Sequence, residues 1–68
     1  MEWYSVIEVL PEDMKEVLLF DEVAGRRIGY YHKDSNCFIR ELDGLRLERV
    51  THWMPLPDAP IIHRTPFI

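Results

Sequence analysis

Residues 17–32 read VLLFDEVAGRRIGYYH, and how this stretch divides decides the fold. Val17, Leu18, Leu19 and Phe20 form a continuous apolar run in too short a window for an amphipathic helix, and the run suits a central strand covered on both faces. Glu22 to Gly25 make a turn, with Gly25 free to take positive φ. Arg26 to His32 return as a second strand, in which Ile28, Tyr30 and His32 share one face and Arg27, Gly29 and Tyr31 the other.

Downstream, Lys33 to Asn36 is a polar turn, Cys37 to Leu42 a third strand, Asp43-Gly44 a hairpin signal and Leu45 to Met54 a fourth strand. Connections this short make sequential strands pair antiparallel. Upstream, Ser5 and Glu8 have the S-x-x-E spacing of a helix capping box, with Tyr4 and Val9 placed as a hydrophobic staple. Pro11 ends that helix after one turn, and Pro11 to Met14 reads as a tight turn. Beyond Met54, Pro55, Pro57 and Pro60 suggest a rigid extended strap.

The expected fold is therefore mainly β, in a small α+β arrangement. A four-stranded antiparallel meander follows a short N-terminal helical turn and ends in a C-terminal proline-rich strap. Trp3, Trp53 and Leu56 are expected to close over the sheet, since each tryptophan buries roughly 150 to 250 Å². A strongly bent sheet closing into an SH3-like small barrel is the alternative.

The chain has 68 residues, enough for one domain and a small core. Cys37 is its only cysteine, so no internal disulfide staples that core, and a lone thiol suits a reducing compartment. No apolar run approaches the roughly 18 residues that span a bilayer, and residues 1–11 lack the pattern of a signal peptide. These features point to the cytoplasm and to no membrane partner. The formal net charge is −4, unevenly spread. Residues 1–22 carry seven acids against Lys15 alone, whereas residues 23–33 carry Arg26, Arg27 and Lys33 and no acid.

His32, Cys37, His52 and His63 invite a metal reading, but no CxxC or HxxxH pair occurs among them. A Cys37–His52 nucleophile pair lacks any orienting third group in the sequence. No cofactor and no catalysis are expected. A single-stranded nucleic-acid surface is suggested by Arg26, Arg27, Tyr31 and Lys33, against the acidity of the whole chain. The plainer reading of the same segment makes Tyr30 and Phe38 a cross-strand core pair beside solvated arginines.

The segment VTHWMPLPDAP at residues 50–60 and the opening W-x-S-V-x-x-x-L-P pattern at Trp3, Ser5, Val6, Leu10 and Pro11 together resemble the family catalogued as domain of unknown function 551. The two anchors cover residues 3–60; residues 1–60 are taken as one domain, with 61–68 as a C-terminal extension, an extra edge strand or a partner-docking tail. Tyr4 stands where an aliphatic residue is commoner in the family. Trp3, Ser5, Pro11, His52, Trp53, Pro55 and Pro57 are its motif positions, read as structural. The resemblance implies a phage or prophage setting and no assigned chemistry.

The expected function is that of a non-catalytic accessory protein that binds a host or defence protein and inhibits it. Glu12, Asp13 and Glu16 in the acidic front, with Ile61, Ile62 and Phe67 in the tail, are the expected partner-binding residues. The nucleic-acid surface is the alternative, and self-association into a homodimer, by strand addition through the tail, is the third.

Overall fold

The computed structural model describes residues 2–57. Among them there is no helix, and six strands form one open antiparallel sheet: β1 (Tyr4–Ser5), β2 (Val17–Asp21), β3 (Gly25–His32), β4 (Cys37–Arg40), β5 (Arg46–Leu47) and β6 (Val50–Pro55). Their order across the sheet is β1-β6-β2-β3-β4-β5.

The meander holds through β2, β3 and β4. Phe20 faces Arg26 across the first hairpin and Tyr31 faces Phe38 across the second. Gly25 at φ 80 and Gly44 at φ 74 supply the left-handed turn residues. At the Asp43-Gly44 turn, the Asp43 carboxylate takes two hydrogen bonds from the Arg40 guanidinium, at 3.0 and 2.6 Å.

The expected fourth strand divides. Arg46–Leu47 pairs with β4, the chain bends at Glu48 and Arg49, and Val50–Pro55 crosses to the far side of β2. In a flat sheet β5 and β6 would lie four strand spacings apart, about 19 Å. The three residue steps from Leu47 to Val50 span at most about 11 Å, so the sheet must curl strongly. It stays open: β1 and β5 are its edges, and the SH3-like closed barrel is not formed.

Curling makes the two faces unequal. The inner face carries Val17 and Leu19, both fully buried, with Leu47, Phe38, Val50 and Trp53 around them. Gly29 sits where β3 meets β4 most closely: a Cβ there would lie 2.2 Å from the Ile39 carbonyl oxygen. The outer face carries Leu18, Phe20, Arg26, Ile28, Tyr30 and Ile39, and Phe20 and Ile28 are 37% and 44% exposed. β2 is central, as expected, yet only its inner face is fully covered.

Four further expectations change. Tyr4 and Ser5 are a strand paired with Trp53 and His52, and a non-helical turn follows at residues 6–8. The Ser5 hydroxyl accepts from Ile7 N–H at 3.2 Å and the Ser5 carbonyl from Glu8 and Val9, so the capping chemistry closes one turn after a strand. Among the described residues there is no proline strap: Pro55 ends β6 opposite Val17, and Pro60 lies outside those residues. The two motif ends do meet, as strands rather than as a lid, and they put the tryptophans on opposite sides. Trp53 packs against Tyr4 inside, with ring centroids 5.0 Å apart, and Trp3 packs edge-on against Phe20 outside at 6.1 Å. Finally, Tyr31 rather than Tyr30 is the core partner of Phe38, at 5.1 Å.

Candidate partner-binding surfaces

The loop between β1 and β2 is long, and its backbone is tied down along its length. Val6 N–H donates to the Thr51 carbonyl, and Met14 N–H donates to the Tyr31 carbonyl at 2.8 Å. The Trp53 indole N–H reaches the Val9 carbonyl at 2.8 Å, and the Asp13 carboxylate accepts the Lys33 backbone N–H at 2.8 Å. Pro11 is buried beneath the loop. Met14 holds φ 63, a conformation uncommon for a bulky side chain.

These ties leave Ile7, Val9, Leu10 and Met14 facing solvent, with Ile7 91% exposed. Glu8 and Glu12 are exposed among them. Glu12 lies 3.8 Å from Lys15, an exposed pair of little energetic weight. Behind the loop, Leu10, Pro11, Glu12, Asp13, Tyr31 and Lys33 line a cleft of about 480 Å³.

The outer face of the sheet offers the second surface. Trp3, Phe20, Arg26 and His52 line an open cleft of about 370 Å³. Glu16, just before β2, lies against Glu41, just after β4. The hydrogen bond that the protonated Glu16 carboxyl donates to Glu41, the like charge of Glu41 and, least, burial hold the Glu16 carboxyl above its ordinary 4.5.

The expected acidic site is thus dispersed. Asp13 is a structural clamp, Glu12 stands on the loop, and Glu16 belongs to the outer face. Ile61, Ile62 and Phe67 lie outside the described residues. The expected nucleic-acid set separates as well. Arg26 lines the outer cleft, Arg27 turns its guanidinium onto the Arg26 carbonyl at 2.8 Å, and Lys33 lends its backbone to Asp13. Tyr31 is 6% exposed, with its hydroxyl on Asn36 at 2.6 Å, so its ring has no free face for a base.

Cys37 faces His32 across the β3–β4 ladder, not His52, which sits on β6 with β2 and β3 in between. His52 Nδ1 lies 2.9 Å from the Thr51 hydroxyl, and His32 Nδ1 lies 2.8 Å from that of Ser35. Among the described residues no three of His, Cys, Asp and Glu gather in metal-ligand geometry.

Tyr4 facing Trp53 and Ser5 facing His52 bring the two sequence motifs together as one strand pair. The chain matches, over residues 2–61, the family described as "Protein of unknown function (DUF551)". It belongs to that family. Neither the curated proteins nor the solved structures yield a match to it. In this member of DUF551 Pro11 is buried, Trp53 ties down the β1–β2 loop and Ser5 pairs with His52, while Trp3 and His52 line the outer cleft. The exposed apolar residues of the loop and the outer face were not legible as sites. Ile7 and Val9 read as parts of a helix, and Phe20 as part of a doubly covered strand.

Proposed function

We propose that this protein is a non-catalytic protein-binding module that docks through the loop at residues 6–14. In the finer reading it is a phage or prophage accessory protein that binds and inhibits a host or defence protein in the bacterial cytoplasm. The observation that carries the proposal is the exposure of Ile7, Val9, Leu10 and Met14 on a backbone pinned to β3 and β6. Loops rarely hold apolar side chains in water on fixed backbone without use, and preorganisation lowers the entropic cost of docking. The uncommon φ of Met14 fits the same use, because local strain persists where the surroundings hold it and function employs it.

Glu8 and Glu12 set the chemistry of the partner: an apolar pocket rimmed by basic side chains. Nucleic acid is the weaker ligand. Of the four residues expected to bind it, only Arg26 stands beside exposed aromatic rings, and the net charge of −4 opposes phosphate.

The test is affinity capture of the tagged full chain from nuclease-treated bacterial lysate, run beside Ile7→Asp and Glu12→Lys, with circular dichroism to show that each variant is folded. A stoichiometric protein that the parent retains and Ile7→Asp loses supports the module. Equal capture by the folded variants, or recovery of nucleic acid alone before nuclease, overturns it.

A further inference from the structure

The outer face of the sheet has a charge pattern that its own chain leaves unmatched. Ile28, 44% exposed, stands on β3 with Leu18 opposite it on β2. Arg26 lies two residues to one side along β3, about 7 Å away, next to Phe20 and Trp3. Glu16 lies in register with Tyr30, on the other side of Ile28, while Glu41 donates its backbone N–H to the Ile28 carbonyl and so stands opposite Ile28 itself; their carboxyls meet across β3. The ion pairs among the described residues join Lys15 to Glu12, Arg40 to Asp43 and Arg49 to Glu22. Neither Arg26 nor the Glu16–Glu41 pair takes part in any of them. Two carboxyls held together without a cation repel each other, and Arg26 on the same face, two residues along β3 from Ile28, is an unengaged guanidinium.

We infer that this face pairs with the same face of a second copy about a two-fold axis near Ile28, so that Arg26 of each copy meets the Glu16–Glu41 pair of the other. Such an interface is isologous, and it requires that what one side of the axis lacks be present on the other side of the same chain. The outer face meets that condition: along β3 a cation lies on one side of Ile28, and the anion pair spans from beside Ile28 to the level of Tyr30 on the other. Two open sheets packed face to face also give Ile28, Phe20 and Trp3 an apolar neighbour about 10 Å away in backbone terms. A partner of different sequence would have to reproduce this pattern, whereas a second copy carries it already. The exposed loop residues Ile7, Val9, Leu10 and Met14 are not part of this contact, so the dimer presents two loops.

The test is sedimentation equilibrium of the full chain from micromolar to millimolar concentration, with circular dichroism on every variant. The parent is expected to form a dimer and nothing larger, weakened by added salt. Arg26→Glu and Glu41→Arg each place like charges across the axis and are expected to raise the dimer Kd at least tenfold. Mixing those two variants restores both opposite-charge contacts and is expected to bring the dimer back as a heterodimer. Ile28→Glu is expected to abolish association with the fold intact, and Ile7→Asp to leave it unchanged. A parent that stays monomeric throughout, a dimer indifferent to Arg26→Glu, assemblies larger than a dimer, or a mixture that fails to associate would each overturn the inference.

Discussion

The carboxylate of Asp21 accepts three backbone N–H groups, from Val23 and Ala24 at 2.8 Å and from Arg49 at 3.0 Å, while only 3% of the residue meets solvent. It thereby ties the β2–β3 turn to the bend that sends the chain from β5 to β6. Burial pushes its pKa upward, but the three N–H groups and the nearby Arg49 charge outweigh that and leave it below the ordinary 3.8. The stability it contributes is therefore complete above the unfolded-state value and is lost as pH falls through the lowered folded value. Asp21→Asn is expected to cost about 1 to 3 kcal/mol at neutral pH, and to flatten the acid limb of a urea-midpoint profile measured against pH. An unchanged acid limb would show that Asp21 is not the titrating clamp. At Trp53, replacement by Phe keeps the contact with Tyr4 and removes the indole hydrogen bond to Val9. A loss of about 1 kcal/mol is expected, with faster amide exchange confined to the β1–β2 loop. Weakened partner capture alongside that local exchange would tie the binding surface to its anchor.

At the level of the elements, β3 and β4 approach so closely at Gly29 that a methyl group has no room. Gly29→Ala would place a carbon 2.2 Å from the Ile39 carbonyl oxygen and 2.9 Å from Leu19 Cδ1. The ladder must shift, and a loss of about 1 to 3 kcal/mol is expected in chemical denaturation. That is a large part of the roughly 3 to 10 kcal/mol available to a chain of this length. Gly25→Ala, where the φ is 80 and the space is open, tests conformational strain alone. The β2–β3–β4 meander was legible because alternation, turn residues and short connections agree there. The crossing to β6 was not. Residues 45–54 read as one strand, and the bend at Glu48 and Arg49 depends on a hydrogen bond to Asp21, twenty-eight positions away.

Across the whole molecule, curling separates a closed inner core from an outer face that remains available. One end of the fold shows the apolar, acidic loop and the outside of the sheet shows the two-fold pattern around Ile28. If both are used, a dimer carries two loops, and a target with two sites is held more tightly than either loop holds one. Loop variants such as Ile7→Asp and face variants such as Ile28→Glu are then expected to separate: the first loses the target and keeps the dimer, the second does the reverse. The acidic front did not survive as one site, because Glu12, Asp13 and Glu16 sit on a loop, in a clamp and on a sheet face respectively.

The sequence by itself determined the family, through two motifs, the strand content and three antiparallel hairpin partners, through residues near one another in the chain, and the absence of an internal disulfide, through its single cysteine. Tertiary structure alone decided that Ser5 begins a turn rather than a helix, that Pro55 ends a strand, and that the two tryptophans face opposite ways. It also decided which apolar side chains stay exposed. Exposure is set by the curl of the sheet, and the curl comes from contacts such as Asp21 to Arg49 and Gly29 to Ile39 that join distant positions. A pattern read along the chain has no term for those contacts until the strands are in place.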